Sequence, residues 1–274
     1  MHFWSKLLRF APIETVVLFR DVAAMTIAKE GLREIALATL VLGLLTWWMA
    51  STHWALAMPF VLLWVWVLLF FRDPRRQGTF ARGDLCSPAD GKVTEITHLQ
   101  HYEPVGGPAV CIGLFLGLLN VHINRSPCSG TVRSLTYAAG EFLDARDPES
   151  GRKNESNSLL IDPDAPMPGP IEVRQVAGFV ARRIICHAQE NQHLTIGERF
   201  GLIKFGSRTE LIIPKCEGTE VRVKLGDPVR AGLTVLARQP VAVSDDQARL
   251  HKLFLMDRTS PTKAGQVNPL RMLL

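Results

Sequence analysis

The sequence lacks any close pair of cysteines: Cys86, Cys111, Cys128, Cys186 and Cys216 are odd in number, scattered, and include no CxxC. That spacing argues against a disulfide framework and against a cysteine-built metal site, and it fits a reducing compartment. Charge is also scarce, at 21% of residues against 47% hydrophobic, and mean hydropathy is +0.12. A disordered or fibrous chain is thereby excluded, and 274 residues suffice to bury a real core. The front of the chain has no uninterrupted apolar leader, because Glu14, Arg20 and Asp21 break it. Residues 1–34 instead interleave Lys6, Arg9, Arg20 and Lys29 with Phe3, Trp4, Leu7, Leu8 and Val16, which reads as an amphipathic segment lying on a membrane surface.

Charge is absent altogether from residues 35–50 and 54–71, two apolar runs separated only by Ser51-Thr52-His53. Each comes close to the roughly 20 residues of a spanning helix once its flanks are added. A buried helical hairpin of a soluble core is the alternative, but Trp47, Trp48, Trp54, Trp64 and Trp66 suit a membrane interface better. Lys29 and Arg33 precede the runs, Arg72, Arg75 and Arg76 follow them, and the break carries no basic residue other than a histidine. By the positive-inside rule, residues 35–71 are a transmembrane hairpin whose ends both face the cytoplasm, with everything after it on that face of the cell membrane. The net charge of +5 and pI near 9.1 favour an anionic partner; acidic phospholipid, nucleic acid and an acidic metabolite all fit.

From Arg72 onward the pattern changes to short apolar runs punctuated by glycine and proline. Residues 93–96, 109–116, 130–135, 159–161, 173–180, 200–205, 209–213, 221–223 and 234–237 read as strands. The expected fold class is therefore mainly β: a compact multi-stranded sandwich or barrel-like domain over 72–244, preceded by the α-helical hairpin. Residues 144–170 read as a long surface loop broken by one short strand, and 245–274 as a basic-leaning tail. One internal echo exists, Leu194 to Gly197 with Phe200 against Val229 to Gly232 with Val235, each a strand, a glycine turn and a returning strand. It resembles the hairpins of lipoyl and biotinyl carrier domains.

Three segments could carry chemistry. Ser87-Pro88-Ala89-Asp90-Gly91 is first a turn signal, since Asp there satisfies backbone N–H groups, and secondarily a source of a catalytic carboxylate. Asn120-Val121-His122-Ile123-Asn124-Arg125 follows an apolar strand expected to end at Leu119. His122 there is either structural or catalytic, and Asn120, Asn124 and Arg125 could hold an anionic headgroup. Lys204-Phe205-Gly206-Ser207-Arg208 lies between two strand runs and reads as a bulge or hairpin turn, or as the seat of a nucleophile. Asp90, His122 and Ser207 could form a hydrolase triad, although no GxSxG elbow surrounds Ser207.

Together these segments resemble the short-form (archaeal-type) phosphatidylserine decarboxylase proenzymes, pyruvoyl-dependent membrane enzymes. The resemblance is carried by Phe71-Arg72-Asp73-Pro74, by residues 87–93 (SPADGKV), 120–130 (NVHINRSPCSG) and 197–208 (GERFGLIKFGSR), and by Ala177-Gly178 with Ala181-Arg182-Arg183-Ile184. It spans roughly residues 35–243. It implies self-cleavage between Gly206 and Ser207, with Ser207 Oγ attacking the Gly206 carbonyl and elimination leaving a pyruvoyl group made from Ser207. The implied products are a β chain, residues 1–206, and an α chain that begins at the pyruvoyl group. Asp90 matches the family's assisting Asp. The implied reaction turns phosphatidylserine into phosphatidylethanolamine and CO2 through a Schiff base, with His122, at a near-neutral pKa, protonating the α carbon. Implied partners are phosphatidylserine, membrane lipids and the chain's own two fragments; no metal and no nucleic acid is expected.

Three positions depart from the family pattern. Arg125 stands where longer members carry a second histidine, Ser156 where short forms usually have Arg, and His187 where Trp is expected. Two other classes compete. A carrier module needs a lysine at a hairpin tip, whereas Lys204 lies inside an apolar run and Lys92 follows a turn. A non-catalytic membrane adaptor explains the hairpin and the charge but leaves residues 197–208 without a purpose.

Overall fold

Both uncharged runs are helical in the computed structural model, which describes residues 25–144, 147, 149–178, 183–204 and 207–241. The surface segment expected at the front falls on residues that, up to 24, lie outside this set, as do the tail 245–274, Gly206, Ala181 and Arg182. Helix α1 (Leu32–Thr52) has 21 residues, about 32 Å at helical rise, and α2 (Trp54–Phe70) has 17. His53 separates them in extended conformation, and its ring accepts a hydrogen bond from Ala55 N at 3.2 Å, which caps α2. Trp64 Nε1 donates to Thr39 Oγ1 at 2.9 Å across the pair. Leu37, Leu40, Leu44, Trp47, Trp48, Leu62 and many neighbours are exposed. Such a continuous apolar surface on two helices needs a nonaqueous partner, and the stretch Lys29–Thr52 is long and apolar enough to cross a membrane.

The rest is mostly strand. In chain order these are β1 (Met25–Ile27), β2 (Arg72–Pro74), β3 (Asp84–Cys86), β4 (Gly91–Tyr102), β5 (Gly107–Leu116), β6 (Ile123–Arg125), β7 (Gly130–Ala138) and β8 (Ser156–Pro163). They continue as β9 (Ile171–Val176), β10 (Ile184–Cys186), β11 (His193–Leu194), β12 (Arg199–Ile203), β13 (Ser207–Pro214), β14 (Glu220–Val221), β15 (Pro228–Val229) and β16 (Val235–Arg238). Eight of them form one antiparallel sheet, in the order β11-β7-β8-β9-β13-β5-β4-β15. Two three-stranded sheets, β10-β12-β6 and β14-β16-β3, and the pair β1-β2 complete the described strands.

Strand alternation builds the core. Ile112, Leu114 and Leu116 of β5, Leu211 and Ile213 of β13, Val173 of β9 and Leu159 and Ile161 of β8 share one buried cluster with Leu85, Leu194, Phe200 and Leu236. Each such side chain contributes about 1.5–3 kcal/mol on burial. Residues 144–170 are not the expected surface loop: β8 has eight residues and lies inside the sheet between β7 and β9, with a short helix α3 (Ser150–Lys153) before it. The polar residues that suggested a loop, Ser156 and Asn157, are buried and satisfied by Arg174 and Gln175 of β9. Likewise β9 ends at Val176 and β5 at Leu116, earlier than their apolar runs.

The internal echo is a real structural repeat. Ser87-Pro88 follows β3 and Ser126-Pro127 follows β6; the hydroxyls donate to Ala89 O at 2.6 Å and Cys128 O at 2.7 Å. Gly232 N donates to Ser87 O at 2.9 Å, and Gly197 N to Ser126 O at 2.8 Å. Val229 pairs with Gly91, and Leu194 with Gly130. The two turn glycines adopt left-handed φ values of 79° and 68°, which favour glycine, and approach each other.

Candidate active site

Strand pairing brings the three chemistry-bearing segments together. Ser207 opens β13 opposite Leu116, the last residue of β5. On the far edge of β5, Lys92 pairs with Phe115, and Gly91 sits so close that a Cβ there would lie 2.1 Å from Phe115 O. His122 O accepts from Ile203 N at 3.2 Å, four residues before Ser207. Asn124, fully buried, ties all three: its Nδ2 donates to Pro88 O at 3.4 Å and to Thr209 Oγ1 at 3.1 Å, and its Oδ1 accepts from Gln175 Nε2 at 2.9 Å.

Ser207 is a strand residue rather than part of a turn, and it is fully buried. Among the described residues, neither Ser207 Oγ nor His122 Nε2 has a hydrogen-bond partner. A buried hydroxyl and a buried ring nitrogen left unsatisfied are costly, by about 1–3 kcal/mol each, and such atoms concentrate where chemistry happens. The His122 ring contacts Asn120 O through Nδ1 at 3.0 Å and packs against Phe70 with centroids 4.3 Å apart. Burial pushes its pKa from 6.5 down to about 4, partly offset by the Asn120 carbonyl and the nearby Asp90 charge. The near-neutral value expected from sequence is thus corrected: at neutral pH His122 is an uncharged base, with Nδ1–H held by a carbonyl and Nε2 open to accept a proton.

Asp90 does not bond to either of them. Its carboxylate is held by Arg76, in a pair that includes an Nη2–Oδ2 bond of 2.8 Å, and accepts from Ala231 N at 2.8 Å. Among the described residues no hydrogen bond links Asp90, His122 and Ser207 into a relay, and the hydrolase arrangement has no geometric support. Arg76 was visible in the sequence only as a basic flank. Its partner lies 14 residues on, and no local signal marks the pair.

The residues offered as headgroup contacts all have protein partners. Asn120 Oδ1 accepts from Gly117 N at 2.9 Å. Arg125 donates to Asp73 Oδ1 at 2.8 Å, Pro74 O at 3.0 Å and Gly197 O at 3.1 Å. At the position of a second histidine there is therefore a buried cation in an ion-pair chain: Asp73 also binds Arg199 at 2.8 Å, and Arg199 binds Glu30, which His187 contacts at 2.6 Å. Arg208, beside Ser207, points to the opposite sheet face and pairs with Glu95 and, at 2.8 Å, with Glu210.

Sequence reasoning missed the role of Lys204. It is buried, three residues before Ser207, and its ammonium meets Glu34 Oε1 at 2.6 Å, Glu30 O at 3.0 Å and the Phe71 ring at 5.8 Å. All three partners flank the hairpin, so the segment entering Ser207 is fastened to the base of the helices. A lysine so enclosed is not a displayed carrier site.

The sequence profile of the phosphatidylserine decarboxylase family matches residues 63–237. The chain belongs to that family. It is 41% identical over 220 residues to the phosphatidylserine decarboxylase proenzyme of Rhodopirellula baltica, covering 78% of this chain and 89% of the relative. Against the proenzyme of Nitrosomonas europaea it is 42% identical over 212 residues, 77% of this chain and 94% of that one. Against that of Geobacter sulfurreducens it is 40% identical over 217 residues, 78% and 97%. Membership makes the chain a decarboxylase proenzyme and leaves the hydrolase, carrier and adaptor readings without support. The pyruvoyl group that the family implies fits the site: a fully buried serine with an orphaned hydroxyl opens a central strand, and the segment leading into it is bonded through Ile203 N to the backbone of His122, whose ring nitrogen is also orphaned.

Proposed function

We propose that the chain cleaves itself between Gly206 and Ser207 and then decarboxylates phosphatidylserine to phosphatidylethanolamine. The observation that carries the reading is the pair of orphaned, buried atoms, Ser207 Oγ and His122 Nε2, inside a family of proenzymes. His122, neutral and with Nε2 open, takes the Ser207 hydroxyl proton as Oγ attacks the Gly206 carbonyl carbon. The Gly206–Ser207 C–N bond breaks and an ester replaces the amide. Elimination across Cα–Cβ of Ser207, with loss of the α proton, then expels the Gly206 carboxylate and leaves a dehydroalanine N-terminus, whose imine tautomer takes up one water to become pyruvoyl with release of ammonia. Asp90, paired with Arg76, lies close enough to His122 for its negative charge to favour the imidazolium formed in the first step.

The pyruvoyl carbonyl supplies an electron sink for loss of CO2 from an amino acid headgroup. His122, reprotonated from solvent or substrate, delivers a proton to the substrate α carbon. Asn120 O keeps the ring in one tautomer, and Phe70 covers it against water. The apolar hairpin supports membrane association; the basic flanks on both its ends support a cytoplasmic catalytic domain beside an anionic lipid substrate. In this reading residues 1–34 lie on the surface, 35–71 anchor, 72–244 catalyse and 245–274 form a tail.

Intact mass and a denaturing gel on the full-length protein from membranes test the proposal. Two fragments are expected, the smaller beginning at residue 207 with a blocked N-terminus. Ser207→Ala should yield one intact, inactive chain. Decarboxylation by that variant, or a fragment with a free N-terminal serine, would overturn the reading.

A further inference from the structure

Two leucines stand exposed beside the loop that holds His122. Between β5 and β6 the chain runs Gly117-Leu118-Leu119-Asn120. Asn120 N donates to Gly117 O at 2.9 Å and Gly117 N donates to Asn120 Oδ1 at 2.9 Å, so the turn is closed from both sides. Leu118 is 48% exposed and Leu119 74%. Scattered exposed leucines are ordinary. This pair differs because it is held out on a stiff turn and because it is bonded to the membrane hairpin. Arg72, two residues past α2, donates from Nη1 to Leu69 O and from Nη2 to Leu119 O, both at 2.6 Å. One guanidinium thus joins the last helical turn, where Leu69 is itself exposed, to the leucine turn, so that exposed leucines stand on both sides of Arg72.

We propose that the turn 117–120 is a second membrane contact, which sinks Leu118 and Leu119 into the acyl-chain boundary of the leaflet where α2 ends. The proposal rests on reading the hairpin as membrane-spanning. Bilayer lipid is the occupant because the turn is bonded to the end of α2 through Arg72, is apolar at its apex and carries that cation at its root, the arrangement of an interfacial segment at an acidic headgroup layer. The turn also fixes the depth of the active site. Asn120 supplies the carbonyl that holds the His122 ring, and Phe70, the last residue of α2, lies over that ring. A lipid headgroup therefore meets His122 at the depth of its own leaflet, and substrate need not be lifted out of the bilayer.

Depth-dependent quenching tests this independently of catalysis. In the protein with Cys186 and Cys216, the two thiols that are not buried, replaced by serine, one accessible cysteine at a time is placed by Leu119→Cys, Leu118→Cys, Leu62→Cys or Glu103→Cys and labelled with NBD. The proteins are reconstituted in phosphatidylcholine–phosphatidylglycerol vesicles that contain a doxyl lipid labelled near the headgroup. Leu62 lies on the exposed face of α2, and Glu103 at the opposite end of the ten-residue β5, roughly 30 Å from the turn. The expected result is loss of fluorescence at positions 62, 118 and 119, and none at 103. Quenching at 62 with positions 118 and 119 behaving like 103 would overturn the proposal and leave the hairpin reading intact. No quenching at 62 would overturn both. The decarboxylase reading is untouched by either result, since it stands on fragment masses.

Discussion

The two Ser-Pro turns of the β region share one framework and divide the chemistry between them. At the fourth position of each, a side-chain oxygen accepts from the backbone N–H before the left-handed glycine: Asp90 from Ala231 at 2.8 Å, Ser129 from Ile196 at 3.0 Å. Four residues before each turn serine the chain has Gly83 in one and His122 in the other. The first repeat therefore supplies a carboxylate and no imidazole; the second supplies an imidazole and no carboxylate. Ser129 demonstrates that the turn needs only an acceptor oxygen. The charge of Asp90 exceeds what the fold requires, and its cost of burial is offset by Arg76, which among the described residues has no counterpart bonded to Ser129.

Making the first repeat resemble the second is the strongest way to break this comparison. Arg76→Gln with Asp90→Ser retains an acceptor for Ala231 N and strands no charge. The double variant should fold, and self-cleavage, followed on a gel, should slow by roughly 10–100-fold, the equivalent of about one to two pKa units of lost imidazolium stabilisation. Cleavage at the original rate would reduce Asp90 to a turn residue. Asp90→Ser alone takes the counter-charge from the buried Arg76 guanidinium, which keeps its bond to Ala231 O, and should lose about 3–5 kcal/mol in denaturant unfolding, a deficit that Arg76→Gln relieves.

His122 can be probed through pH. Its folded pKa lies near 4, below the ordinary 6.5, so the unfolded chain binds the proton first as pH falls. The uncleaved Ser207→Ala protein should lose about 3 kcal/mol of stability between pH 6.5 and 4, and His122→Gln should flatten that slope. Cleavage that needs neutral His122 should run unchanged from pH 8 to 5 and fail near 4; a midpoint close to 6.5 would contradict the burial described. The smallest effect belongs to the reverse exchange. Ser129→Asp introduces a carboxylate with no Arg76 equivalent and should lower stability by about 1–3 kcal/mol at neutral pH, less in acid, with cleavage unaffected.

What the sequence revealed depended on how local the determinants were. The hairpin was legible because a missing charge is visible residue by residue, and β4, β5 and β13 because their apolar residues recur. Ser207 and His122 stood out through their neighbours in the chain. β6 did not, because Asn124 and Arg125 find their buried partners in Gln175, Thr209 and Asp73, which lie 51, 85 and 52 residues away in the chain. The same holds for Arg76 with Asp90, for Lys204 with Glu34 and for the low pKa of His122, which comes from packing under Phe70. Polar residues look like loop until the fold supplies their partners.

β13 lies in the middle of the eight-stranded sheet, with eight residues in register with β5 on one side and five with β9 on the other. A cut before Ser207 would make β13 the first strand of the smaller fragment while both neighbours stay with the larger one. That fragment would carry no helix of the hairpin, yet it could not drift away by dilution, since release would require tearing out the central strand and opening the core. The nick would turn one chain into an obligate two-subunit assembly whose interface was folded before the subunits existed, and mixing separately made fragments would not be expected to rebuild it.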